Sequence, residues 1–184
     1  MKKILGLVAL SFALSTATAG GAFAQSHLRI GLAEDPDVLD PTLDRAAIGL
    51  SAEMLGTLAE AFERTITYLK DRKQFGVPIG SFQALKHRAA NMFVEVELSR
   101  SIVLDALRAI DENRPDVPQL ASIAKARLSD AVHLVGNEAV QMFGGIGVTD
   151  EEEIGLFLKR ARAAELTLGD AAYHRARFAA LSGF

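Results

Sequence analysis

Ile48-Gly-Leu-Ser-Ala52-Glu-Met-Leu55-Gly-Thr-Leu-Ala59-Glu-Ala-Phe62-Glu-Arg-Thr-Ile66-Thr-Tyr-Leu69 is the stretch that decides the fold. Ile48, Ala52, Leu55, Ala59, Phe62, Ile66 and Leu69 are spaced 4-3-4-3-4-3, which places them on one face of a continuous helix. The seam stops where Gly76, Pro78 and Gly80 break helix, and Ser81 offers an N-cap to the next run. Phe82, Leu85, Ala89, Met92, Val96, Ser99, Val103, Ala106 and Ile110 then repeat the spacing. After Pro115, Pro118 suits the first turn of a third helix carrying Leu120, Ile123, Leu128, Ala131, Leu134, Val135 and Met142, closed by Gly144-Gly145. Asp150 and Glu153 form a capping-box-like start for a fourth helix with Ile154, Phe157, Leu158 and Ala161 inward. A last helical piece runs from about Asp170 to Leu181. Long helices joined by short loops pack as antiparallel neighbours, so the expected fold is all-α, an up-down four-helix bundle over residues 45–184.

Upstream the chemistry differs. Lys2 and Lys3 precede an apolar run from Ile4 to Leu14, and small residues lead to Ala22-Phe23-Ala24. That order describes a secretory signal peptide over residues 1–24, cleaved before Gln25, and its apolar core is shorter than a spanning helix requires. The expected location is then periplasmic or exported, with no membrane association once the leader is removed. Residues 25–44 read as a non-helical arm: Leu28, Ile30 and Leu32 alternate with Arg29 and Gly31, and two prolines follow at Asp35-Pro36 and Asp40-Pro41. Leu28 to Leu43 resembles the mature start of periplasmic peptide-binding proteins of ABC importers, a likeness that nothing later in the chain continues.

A formal net charge of -3 gives no field for nucleic acid. Without cysteine there is no disulfide, thiolate metal site or cysteine nucleophile. Asp130-x-x-His133 has the spacing of one ligand pair of a di-metal bundle, but a second such run is missing, so no metal is assigned.

Two loops are richer than a bundle needs. In Asp71-Arg72-Lys-Gln74-Phe75-Gly76-Val-Pro78-Ile-Gly80, Arg72 offers a fork of donors for phosphate, Gln74 a neutral donor and acceptor, and Phe75 a stacking face. The plainer reading is a solvated helix end whose cations complement the dipole. In Gln141-Met-Phe-Gly144-Gly145-Ile-Gly147, the glycines let backbone approach a ligand and Gln141 sits one turn before. Here the plainer reading is a glycine cap between helices. No strand precedes these glycines, which excludes a Rossmann turn.

Taken in this order on a bundle, Arg72-Lys-Gln-Phe-Gly76-x-Pro78-Ile-x-x-Phe82-Gln83 followed by Ala139-Val-Gln141-x-x-Gly144-Gly145-x-Gly147 resembles the C-terminal domain of the acyl-CoA dehydrogenase family. The resemblance runs from about Asp44 to Leu181. It implies part of an FAD-dependent enzyme that removes hydrogens from the α and β carbons of an acyl-CoA thioester, and by family a cytoplasmic location in place of the exported one the leader describes. Arg72, Gln74, Phe75, Gln141, Gly144 and Gly145 would contact FAD, and the site would form between subunits of a homo- or hetero-oligomer.

Two features depart from the family. Its usual base, a glutamate, falls on Leu168 in Thr167-Leu168-Gly169-Asp170. Some relatives carry the base at the start of the first bundle helix, which makes Asp44 the catalytic candidate, against its plainer reading as a first-turn acid. The family's two preceding domains, which cover the flavin ring and acyl chain, have no counterpart here. The alternative expectation is therefore a non-catalytic bundle, a remnant or partner subunit from a fused or truncated gene.

Overall fold

The computed structural model describes residues 41–184, so the leader and most of the arm lie outside the described residues. Five helices follow one another: α1 Pro41–Asp71, α2 Gln83–Asp111, α3 Val117–Phe143, α4 Ile154–Leu166 and α5 Ala171–Leu181. Between α1 and α2 lies a hairpin of β1 Lys73–Gln74 and β2 Val77–Pro78, then a 3-10 turn, Ile79–Ser81. A second 3-10 turn, Gly144–Val148, follows α3. The four-helix bundle expected from the seams is present, and α5 packs along α3 as an addition to it. Pro41, which lacks a backbone donor and carries a pre-set φ, begins α1, so residues 41–44 form its first turn rather than the end of the arm.

α3 is the central element, packed against every other helix. Leu128, Ala131, Val132, Val135 and Ala139 meet Met54, Leu58 and Ala61 of α1 and Met92, Val96 and Val103 of α2 in the main core. Small residues close a second cluster of Ala47, Ile48, Ala106, Ala109, Ala121 and Ala124. α2 buries the line its spacing marks, from Met92 to Ala106. α1 is rotated slightly from the seam read in sequence. Its deepest line runs through Ser51, Met54, Leu58, Ala61 and Thr65, while Ala52, Leu55 and Phe62 pack at the flank. Two hydroxyls can lie on that line because Ser51 donates to the Ala47 carbonyl at 2.8 Å and Thr65 to the Ala61 carbonyl at 2.7 Å. At the crossing of α3 and α4, a Cβ at Gly136 would sit 3.0 Å from Leu158 Cδ1.

Two expected caps are made differently. The Ser81 hydroxyl donates back to the Pro78 carbonyl at 2.7 Å, and α2 starts after Phe82 with no side-chain cap. Asp150 to Glu153 form turns before α4 without a capping bond to the helix, because the Glu153 carboxylate accepts from Arg64 on α1 at 2.8 Å. Asp170, by contrast, caps α5 through Tyr173 N at 2.8 Å. Among the described residues no helix is long and apolar enough to cross a membrane.

Candidate functional site

Arg72 stands where α1 ends, its amide still bonded to the Tyr68 carbonyl at 2.9 Å. Its carbonyl accepts from Ile79 N at 2.8 Å and so closes the base of the hairpin. At the tip, Phe75 and Gly76 both take positive φ, 54° and 80°, the geometry that a two-residue hairpin loop demands. Glycine adopts this freely, whereas a phenylalanine there is strained. The ring is held outward, 89% exposed, and among the described residues it meets the edge of Phe82 at 6.1 Å. Gly80 lets the hairpin fold onto α1, since a Cβ there would meet the Leu69 carbonyl oxygen at 2.8 Å. Arg72 and Gln74 are exposed, and among the described residues Arg72 forms no ion pair.

The glycine turn has a comparable division. Gly144 ends α3 at φ 68°, and Gly147 packs so tightly that a Cβ would lie 2.7 Å from the Val140 carbonyl oxygen. Gly145 has neither constraint: its φ is not positive and, among the described residues, nothing lies within 4 Å of a Cβ built there. No internal packing calls for glycine at 145, and the missing side chain leaves exposed backbone. Gln141 is exposed on the last turn of α3.

Tyr68 joins the two loops. Its ring stacks on Phe143 with centroids 4.1 Å apart, and its hydroxyl donates to the Phe143 carbonyl at 3.2 Å. Tyr68 lies one turn before Arg72, and Phe143 immediately precedes Gly144. Arg72, Gln74, Phe75, Gln141, Gly144 and Gly145 thus share one end of the bundle. Sequence reading missed Tyr68, although an aromatic one turn before a loop motif is the available signal.

Asp44 is not part of this group. Its position in the first turn of α1 is some 28 residues from Arg72, about 40 Å along a helix axis. The carboxylate is buried and accepts from Arg177 of α5 at 2.7 Å. Arg177 also donates to Ser122 Oγ at 2.8 Å and the Pro118 carbonyl at 3.2 Å, so this pair ties α1, α3 and α5 together.

Leu168 lies in the turn between α4 and α5 at φ 59°, followed by Gly169 at φ 97°. The turn is supported from beneath by Lys125 of α3, a fully buried lysine that sequence reading overlooked. Its signal is a cation set between alanines, Ala124 and Ala126, on the inward side of the third helix. The metal alternative loses its pair, since Asp130 is bound by Arg175 and His133 points to Glu165 at 3.9 Å. Among the described residues no three metal-ligating side chains gather.

Residues 37–181 match the family model "Acyl-CoA dehydrogenase, C-terminal domain". An acyl-CoA dehydrogenase of Mycolicibacterium smegmatis, IpdE2, is 43% identical over 128 residues, covering 68% of this chain and 39% of the relative. The structure of butyryl-CoA dehydrogenase from Megasphaera elsdenii superposes with a TM-score of 0.75 at 30% identity, over 78% of this chain and 37% of that one. A solved complex of PigA with FAD and proline gives a TM-score of 0.73 at 27% identity, over 77% and 37% of the two chains. The chain spans about two fifths of the length of the curated relatives it matches. With the two loop motifs seated together on this bundle, the chain belongs to the acyl-CoA dehydrogenase family, of which it carries the C-terminal domain.

Proposed function

We propose that this bundle supplies one edge of an FAD site, with Arg72, Gln74, Phe75, Gln141, Gly144 and Gly145 as the contacting residues, in an oligomer that dehydrogenates acyl-CoA thioesters. The observation that carries this reading is the Tyr68–Phe143 stack, which seats both loops on one end of the bundle. The residues fit a dinucleotide: an exposed guanidinium without an ion pair among the described residues, an outward aromatic ring, and backbone left open at Gly145. Arg72 would hold a phosphate, Phe75 would stack on a ring, and the exposed backbone at Gly144 and Gly145 would approach the pyrophosphate. Bound flavin would supply the acceptor for a hydride from the β carbon.

The α proton needs a base. Leu168 cannot act as one, and general-base catalysis contributes about 10²- to 10⁴-fold. Asp44 is the nearest family precedent within this chain. Its distance from Arg72 means that the two ends of α1 would serve different regions of an assembly. A second reading, a non-catalytic partner subunit or remnant, is favoured by Leu168 and by the engagement of Asp44 with Arg177. The leader-like residues 1–24 add export to the proposal, checked by the mass of the chain recovered from the periplasm.

The test is an FAD titration of the full chain followed by flavin fluorescence, beside Arg72→Ala. A charge-assisted hydrogen bond contributes about 1.5 to 3 kcal/mol, so the substitution should weaken binding by roughly 10- to 100-fold. Saturable micromolar binding lost in the variant supports the FAD edge. No binding up to millimolar FAD leaves the non-catalytic reading.

A further inference from the structure

Beneath the turn between α4 and α5 lie two buried side chains that the flavin reading does not use. Lys125 Nζ donates to the carbonyls of Glu165 at 2.9 Å and Gly169 at 2.8 Å, and to Ser129 Oγ at 3.3 Å. His174, buried on α5, bonds through Nε2 to the Leu168 carbonyl at 2.9 Å. A carbonyl only accepts, so Nε2 carries the proton and Nδ1 of the neutral ring is a bare acceptor. Nδ1 is buried without a hydrogen-bond partner among the described residues. Three carbonyls of one short turn therefore end on two side chains. This holds Leu168 at φ 59°, a conformation a leucine keeps only when its surroundings over-determine it.

The two donors respond differently to acid. Lys125 keeps N–H groups to donate in either protonation state, but a second proton on His174 would go to Nδ1, where nothing accepts it. The charges around that ring come from every neighbouring element: Lys125 on α3, Arg177 on its own helix and Asp170 in the turn. Glu165 of α4 is already engaged by Arg162 at 2.6 Å, and the Tyr173 ring meets the imidazole edge-on at 5.0 Å. Burial first, then Lys125 and Arg177, oppose the imidazolium, while the Leu168 carbonyl and Asp170 favour it. The net effect is a ring held neutral below the usual histidine range.

We propose that the turn from Glu165 to Asp170 is a pH-gated element, closed by Lys125 together with the neutral His174 ring and released when that ring takes a second proton. Release frees the Leu168 carbonyl and removes the constraint that keeps residue 168 in the left-handed region. Position 168 then changes its presentation without unfolding of the bundle, because the main core, which joins α1, α2 and α3 to Ile154, Ala161 and Ala164 of α4, does not include the turn. This gate does not rest on the FAD reading, since its bonds run from Lys125 and His174 to the turn and use neither loop motif.

The test is a pH titration of the full chain by NMR, following the His174 ring and the Leu168 and Gly169 amides. The expected result is that His174 stays a neutral Nε2–H tautomer at pH values where a free imidazole is already protonated. The two amides should then shift in step with His174, with exchange faster by about tenfold or more, while amides of α1 to α3 stay protected. H174Q keeps an N–H donor but cannot titrate, so its turn amides should show no acid step. The gate is overturned by an unchanged step in H174Q, by titration of His174 with no response in the turn, or by unfolding of the whole bundle in the same transition.

Discussion

Tyr68 lies nearly parallel to Phe143, 17° apart in ring plane, and its hydroxyl donates to the Phe143 carbonyl at 3.2 Å. One contact thus combines buried aromatic area with a hydrogen bond between the end of α1 and the end of α3. Phe143→Ala removes the buried ring and should cost about 3 kcal/mol in urea unfolding. Tyr68→Phe keeps the stack and loses one hydrogen bond, so it should cost about 1 kcal/mol. Equal losses in the two variants would mean that the ring stack is not what joins the loops.

Gly147 and Gly145 should respond oppositely to alanine. At Gly147 the new methyl meets the Val140 carbonyl oxygen at 2.7 Å and Phe143 Cβ at 2.8 Å, backbone and near-backbone atoms that cannot swing away. Gly147→Ala should therefore destabilise by about 2 kcal/mol. Gly145→Ala meets nothing and should change stability by less than about 0.5 kcal/mol, while weakening FAD binding in the titration. A Gly145→Ala chain that is stable and binds as before would remove this glycine from the proposed flavin edge.

Asp44→Ala should cost about 3 kcal/mol, because it leaves the Arg177 guanidinium buried with only neutral acceptors. Adding Arg177→Leu should recover part of the loss, which a double-mutant cycle in urea measures. Full additivity would show that the pair does not interact.

Stability should also fall on mild acidification. The His174 pKa is lowered from 6.5 in the folded chain, so the unfolded chain takes up the proton first. The contribution is complete above about pH 6.5 and is lost as pH falls from there toward the lower folded value. H174Q should flatten that part of the pH–stability curve, as read by thermal unfolding.

Lys125→Met keeps the length of the side chain and deletes its donors. The Glu165 and Gly169 carbonyls are left without them, at about 2 kcal/mol or more. Proteolysis should move to the α4–α5 turn if the lysine is what holds it. Cleavage elsewhere in the bundle would assign Lys125 to packing alone.

The helices were legible because their apolar spacing repeats over many turns and leaves one face to bury. The rotation of α1 was not. Ser51 and Thr65 fall outside the apolar seam, yet each satisfies its hydroxyl within its own helix and occupies the deepest line. Local signals misled at Ser81 and Glu153 for a related reason: each found a stronger partner than the helix end beside it. The residues proposed for the flavin edge were named from two motifs, but their placement on one end of the bundle depends on Tyr68, which neither motif contains.

By itself the sequence determined the helical class, the breaks between helices and the family, since periodicity, proline, glycine and the two loop motifs are written along the chain. Tertiary structure alone decided that Asp44 is an ion-pair partner of Arg177, that Lys125 is a buried donor and that the Leu168 turn hangs on His174. Those roles come from desolvation and from partners 6 to 133 positions away, and neither has a local sequence signature.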